Sequence, residues 1–206
     1  MTTKTLAAGF AAAAALALTL STGAHAQQAA AAPQVSHGAA IAGVCVMSVD
    51  GAIGASTVGQ YVQTRLQQIA TQVEAELKSE ETAITTEAQT LETQRTTLGQ
   101  DAFETRRAAL QVRVNSFQRK AAQRERELAV TQQKALARVG QEMEPLIRDV
   151  YQQRQCAMLV NRDALLLANP QMDITQPLVT ALNAKITQFA FDRERLDQQA
   201  SGAQTR

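Results

Sequence analysis

Residues 55–151 read ASTVGQYVQTRLQQIATQVEAELKSEETAITTEAQTLETQRTTLGQDAFETRRAALQVRVNSFQRKAAQRERELAVTQQKALARVGQEMEPLIRDVY. Apolar residues recur at Val62, Leu66, Ile69, Val73, Leu77, Ile84, Ala88, Leu91 and Leu98. They recur again at Phe103, Leu110, Val114, Phe117, Ala121, Leu128, Ala135, Val139, Met143, Leu146 and Val150. The steps are mostly threes and fours, the seam of a coiled coil. The stripe is narrow, so each arm covers one partner helix and builds no globular core of its own. No proline precedes Pro145, and Ala, Gln, Glu, Arg and Leu fill most of the remainder, all good helix formers. Midway, Gly99 suits a left-handed helix C-cap and Asp101 suits a cap for the next helix. Glu104, three residues on, completes a box-like pattern. The spacing therefore predicts two long helices forming a hairpin, with its tip near 98–101. A single unbroken helix is the rival reading. At 1.5 Å per residue the arms would measure about 65 and 78 Å, far beyond a helix of a compact domain.

Outward from the hairpin the chain changes character. Lys4, the Ala/Leu run from Leu6 to Leu20 and Ala24-His25-Ala26 form a signal-peptide pattern with cleavage expected after Ala26. The run is too short for a membrane anchor, which needs about 20 strongly apolar residues. Residues 27–40, Ala/Gln-rich with Pro33 and Gly38, read as a disordered leader. Ile41–Val49 (IAGVCVMSV) reads as a buried strand, broken by Asp50-Gly51 and Gly54. Beyond the hairpin, Cys156–Asn161 (CAMLVN) reads as a second strand and Ala164–Ala168 (ALLLA) as a third, with helix the rival for the last. Asp173 is placed to cap a closing helix from Ile174 to about Phe189, with Ile174, Leu178, Leu182 and Ile186 on one face. Residues 191–206 read as a flexible polar tail.

The predicted fold is therefore mainly α with a small β body. A long antiparallel helical hairpin, 55–151, projects from a strand-and-helix body formed by 41–54 and 152–190. Three short strands and one helix make an undersized core with open edges, so further copies of the chain are needed to cover it.

The formal net charge is +1, but it is unevenly spread. From 55 to 98 three basic residues, Arg65, Lys78 and Arg95, face six Glu. From 95 to 126 the basic residues are Arg95, Arg106, Arg107, Arg113, Arg119, Lys120, Arg124 and Arg126, against Asp101, Glu104 and Glu125. The far end is thus basic, either as a solvated helix face or as an attractant for acidic chains or anionic surfaces. Cys45 precedes the hairpin and Cys156 follows it, and a hairpin returns the chain to its start. An exported chain can therefore close a disulfide between them, the rival being two separate buried thiols. No histidine lies in a predicted ordered segment, and there is no phosphate loop. Neither cysteine has acidic or histidine neighbours suited to a metal. Pairs such as Glu80-Glu81 read as solvated helix positions. No cofactor and no nucleic acid is implied.

The order of export signal, IAGVCVMS, long charged hairpin, CAMLVN and NPQMDITQPLVTALN resembles the Skp (OmpH-like) periplasmic chaperones of Gram-negative bacteria, over Ile41 to about Ile186. Its most specific piece is Asp173-Ile174-Thr175 followed by the helix with Leu182-Asn183. The resemblance implies a homotrimer whose strands form a central body, with three hairpins hanging from it as coiled-coil tentacles. It implies a periplasmic holdase that needs no ATP and no catalytic group. Unfolded outer-membrane β-barrel proteins would lie between the tentacles, and anionic membrane or lipopolysaccharide would be a further partner. Two features depart from the pattern: the near-neutral charge and the cysteine pair. The alternative function is a coiled-coil scaffold or adaptor, although the lipoyl-like β segments that usually flank adaptor hairpins are missing.

Overall fold

A computed structural model describes residues 35–196. From His37 onward these form one compact unit. The predicted signal segment, residues 27–34 of the predicted leader and residues 197–206 of the predicted tail lie outside the described residues.

The elements are β1 (Val44–Met47), α1 (Val49–Ala55), α2 (Thr57–Thr93), α3 (Gln100–Gln153), β2 (Met158–Asn161) and α4 (Thr175–Lys185). Short 3-10 turns form at Arg162–Ala164 and Pro170–Met172. The 37 residues of α2 and the 54 of α3 give arms of about 55 and 81 Å. Polar side chains join the two arms at Glu76–Arg124, Glu80–Lys120, Glu87–Arg113 and Gln94–Arg106. As one number rises the other falls by the same amount, so the helices run antiparallel in a constant register. β1 and β2 pair in parallel, with Val44 opposite Met158 and Met47 opposite Asn161. Parallel strands need a crossover between them, and here the whole hairpin supplies it.

The core sits where the arms meet the body. Val58 and Val62 of α2, Val139 and Met143 of α3, and Leu178 and Leu182 of α4 are almost fully buried in one cluster. Ile69, Val73, Ile84 and Leu91 extend the buried seam along α2. Opposite them, Phe103, Leu110, Val114, Phe117 and Leu128 are only half-buried. A two-helix seam lacks a third wall, so its apolar residues stay open on their flanks.

Four expectations are corrected. Asp50-Gly51 and Gly54 do not end the first strand in a loop; they lie in α1. Ser48 caps that helix, accepting from Gly51 N at 3.0 Å, and Ala52 is fully buried beneath it. The cap and the burial outweigh the helix cost of glycine, about 1 kcal/mol per residue. The strand itself is correspondingly shorter. At the tip, Gly99 is not left-handed: it is the N-cap of α3 with φ −61°, and Asp101 falls in the first helical turn. Thr97 N and Leu98 N both donate to Gln94 O, which closes α2 without a left-handed residue. Among the described residues the left-handed positions are Gly43 and Gln155. Ala164–Ala168 is not a third strand. Asn161 accepts from Asp163 N at 3.2 Å and turns the chain into the 3-10 segment, leaving Leu165–Leu167 without a ladder partner. The other edge of β1 is met instead at Asp173, opposite Val46. Finally, α4 stops at Lys185, and the segment after it packs against the hairpin rather than trailing away.

Candidate binding surface

The joint between arms and body is built from the residues that carried the sequence resemblance. Asp173 Oδ1 accepts from Thr175 N at 2.8 Å, and its other oxygen pairs with Arg162 at 2.7 Å. Ile174 N donates to Val46 O at 2.8 Å, and its side chain is buried. Thr175 Oγ1 accepts from Ser48 N at 3.0 Å, and Asn183 Oδ1 accepts from Thr57 N at 2.8 Å. One short segment therefore orients β1, α1 and α2 together.

The kink between α1 and α2 depends on Ser56, which ends the first helix and caps the second, accepting from Gly59 N at 3.1 Å. A Cβ on residue 59 would lie 1.8 Å from Ile53 O, so only glycine fits this crossing. At the far end of the return arm, Gln155 N donates to Gln152 O and Cys156 N to Tyr151 O. This is the two-bond Schellman ending, with Gln155 in the left-handed position at φ 53°. It delivers Cys156 to Cys45, and the two form a disulfide across a Cα–Cα distance of 5.7 Å.

The eight basic residues named from the sequence divide into two groups. Arg113, Lys120 and Arg124 form ion pairs across the hairpin with Glu87, with Glu76 and Glu80, and with Glu76 respectively. Arg106 donates to Gln94 across the tip. Arg95, in the turn after α2, pairs with Glu92 and lies over the Phe103 ring, 5.7 Å from its centre. Arg107, Arg119 and Arg126 are exposed and have no ion pair or hydrogen-bond partner among the described residues. The hydrogen bonds from Arg124 and then Lys120 hold the Glu76 carboxyl at about 2, below its ordinary 4.5. The same contacts raise Lys120, chiefly through Glu80 and Glu76.

Further residues carry the arrangement, and most of them escaped the sequence reading. Glu127, fully buried, accepts from Arg124 at 3.0 Å and Gln123 at 3.1 Å. Thr131 is buried beside it and donates to Glu127 O at 2.6 Å. Residues 186–195 after α4 run without regular structure along the arm. There Arg65 Nε donates to Phe191 O at 3.3 Å, Phe191 packs edge-on against Tyr61, and Arg193 reaches Glu76 at 3.1 Å and Glu127 at 3.3 Å. One signal was present for Thr131: the apolar stripe skips from Leu128 to Ala135, and position 131 fills the missing rung.

Two grooves follow the open flanks of the seam. One, of about 470 Å³, is lined by Val73, Leu77, Phe117, Ala121 and Leu128, with charged residues at its rim. The other, of about 610 Å³, lies nearer the tip between Ala83, Thr86, Leu91 and Ala109. On the body, Leu165, Leu166 and Leu167 stand at 37, 102 and 70 % exposure, and Met158 of β2 and Ile41 are also exposed. Both the grooves and this apolar patch are surfaces that a partner would cover.

No curated protein matches the chain. It is similar to the crystal structure of a candidate outer membrane chaperone (OmpH-like) from Caulobacter crescentus CB15. The two share 49 % sequence identity and a TM-score of 0.77, over 81 % of this chain and 98 % of that one. The sequence profile of the family described as outer membrane protein (OmpH-like) matches residues 43–182, the span that holds both strands, the hairpin and most of α4. The chain belongs to the OmpH-like outer membrane protein family.

Proposed function

We propose that this chain is a periplasmic holdase chaperone that binds unfolded outer-membrane β-barrel proteins and keeps them from aggregating, without ATP. The observation that carries the reading is the half-open seam of the arms. An unfolded β-barrel chain exposes alternating apolar residues. The groove along Val73, Leu77, Phe117 and Leu128 offers such residues a shallow apolar trough. Many weak contacts of this kind retain a chain without imposing a structure on it. The free guanidinium groups of Arg107, Arg119 and Arg126 add long-range attraction for acidic segments or for anionic headgroups.

The body is the proposed oligomerisation domain, and a homotrimer is the expected assembly. Leu165–Leu167 and the free edge of β2 are the surfaces that neighbouring copies would cover. Residues 1–26 are the proposed export signal, cleaved after Ala26.

Light scattering tests the function. An outer-membrane β-barrel protein diluted from urea should stay clear in a stoichiometric excess of residues 27–206 and scatter without it. Scattering unchanged by the protein refutes the reading. Sedimentation equilibrium of the same preparation should give three times the monomer mass.

A further inference from the structure

The segment after α4 is held on the arm by main-chain groups as well as by its side chains. Three main-chain groups of Phe191–Leu196 are held by side chains of the hairpin. Phe191 O accepts from Arg65 Nε at 3.3 Å, Glu194 N donates to Thr131 Oγ1 at 2.9 Å, and Leu196 N donates to Glu127 Oε1 at 3.3 Å. The last two are N–H groups two residues apart, where the irregular segment enters a helical turn at Leu196. Main-chain groups are the same in every sequence, so these contacts select no side chain; the ion pairs of Asp192 with Arg65 and of Glu194 with Lys134 add contacts that do. Beside them Tyr61 offers an aromatic edge, which Phe191 occupies with ring centres 6.5 Å apart. Between them, Glu76 and Glu127 hold the one inserted cation, Arg193.

The face would remain satisfied if the segment left. Glu127 keeps Arg124 and Gln123, Glu76 keeps Arg124 and Lys120, and Thr131 keeps its bond to Glu127 O. No buried charge is stranded by release, so the contact is reversible in a way that a buried structural ion pair is not. The segment also lies beyond residue 182, where the family match ends, while the face beneath it lies within that match.

We propose that the arm face formed by Tyr61, Arg65, Glu127 and Thr131 is a docking site for a stretch of unfolded polypeptide, and that Phe191–Leu196 occupies it in cis as a displaceable plug. The proposal rests on the holdase reading for the identity of the incoming chain. The plug lowers apparent affinity by the fraction of time it is docked. It sets a threshold that a client with many exposed segments crosses and a short or folded chain does not.

The test uses the full-length protein and a double variant, Phe191→Ala with Arg193→Ala, which weakens the plug and leaves the arm face intact. A fluorescein-labelled peptide of residues 188–198 should bind the variant about tenfold more tightly than the parent, read by anisotropy, because the cis competitor is gone. Adding Thr131→Val to the variant should abolish that gain. An unfolded β-barrel protein diluted from urea should likewise bind the double variant about tenfold more tightly. Hydrogen exchange on the unmodified parent gives an independent measurement: the Glu194 and Leu196 amides should be protected in the free protein and lose protection when the client is added. Equal peptide and client affinities for parent and variant, or protection unchanged by client, would overturn the plug. If the variant gains peptide affinity but neither protein retards client aggregation, the docking face stands and the holdase reading falls. If both proteins retard aggregation equally and the peptide binds neither, the holdase reading stands and the plug falls.

Discussion

Thr57 N donates to Asn183 Oδ1 at 2.8 Å, across 126 positions of sequence. The first amide of α2 has no partner within its own helix, and α4 supplies one. Burial of Leu182, the preceding residue, fixes where that acceptor stands. Asn183→Ala should therefore lower stability by about 1 kcal/mol, the usual cost of a lost helix cap. Asn183→Asp should cost less, because it keeps the acceptor and places a negative charge at a helix N-terminus. Urea unfolding followed by circular dichroism at pH 7 checks both, and equal losses in the two variants would show that the bond does not matter.

Two glycines in the arms should respond oppositely to the same substitution. Gly59→Ala places a methyl 1.8 Å from Ile53 O, a backbone atom that cannot move aside without unmaking the Ser56 kink. The expected loss is about 1–3 kcal/mol or more. Gly140 in α3 has nothing within 4 Å of the added carbon. Gly140→Ala should therefore gain about 0.5–1 kcal/mol from helix propensity alone. Thermal unfolding of the pair under one set of conditions decides the matter, and a Gly59→Ala variant as stable as the parent would remove close packing as the reason for that glycine.

Glu76 should make the hairpin acid-sensitive over a defined range. Arg124, then Lys120, hold its carboxyl at about 2, below the ordinary 4.5. A carboxylate depressed by folding contributes stability above its unfolded value and loses that contribution as pH falls through the folded one. Stability should thus decline between pH 4.5 and about 2, in addition to any general acid effect. Glu76→Gln should be less stable than the parent at pH 6, with the gap narrowing across that interval. Chemical denaturation at pH 6, 4 and 2.5 measures this, and a gap independent of pH would show that the ionic contacts are not the cause.

The Cys45–Cys156 bond spans 111 positions. In the chain-entropy account such a loop is worth about 4–5 kcal/mol. Reduction of the folded protein should therefore lower the urea midpoint strongly, and a Cys45→Ala, Cys156→Ala variant should match the reduced parent. Non-reducing mass spectrometry of protein isolated from cells without reductant should find the two peptides linked; free thiols would refute the pairing.

The long arms were legible because a coiled-coil seam repeats over many turns, and the errors at the tip were confined to the roles of Gly99 and Asp101 in capping. The return of Cys156 to Cys45 was legible for the same reason, since an antiparallel hairpin brings its ends together whatever its sequence. What escaped was tertiary. Helix α1 keeps two glycines because Ser48 and the burial of Ala52 favour it, and neither influence is visible in a local window. Leu165–Leu167 has the composition of a strand but no edge to join within one chain. Residues 191–196 look like a polar tail, yet they pack because Glu127 and Thr131, more than sixty positions earlier, present acceptors to their backbone.

The basic far end of the hairpin contains two populations, and they should separate by experiment. Lys120 and Arg124 are committed to Glu76, Glu80 and Glu127, and their side chains are two-thirds buried or more. Arg107, Arg119 and Arg126 are exposed and unpaired among the described residues. If long-range attraction speeds client capture, the second set must supply much of it, because a charge neutralised by its neighbour exerts little field at a distance. Changing Arg107, Arg119 and Arg126 together to Gln should slow association with an acidic unfolded outer-membrane protein several-fold at about 50 mM salt. The difference should shrink near 300 mM, as the Debye length falls from about 14 to 6 Å. The mass of the assembly and its helicity should be unchanged, since exposed charges contribute little to stability. Lys120→Gln with Arg124→Gln should do the reverse, destabilising the arm while altering the salt dependence of capture far less. Stopped-flow fluorescence at both salt concentrations, set beside urea unfolding, reads the two effects separately. A triple variant that captures client as fast as the parent at low salt would reduce these three arginines to a solvated face and leave recognition to the apolar grooves.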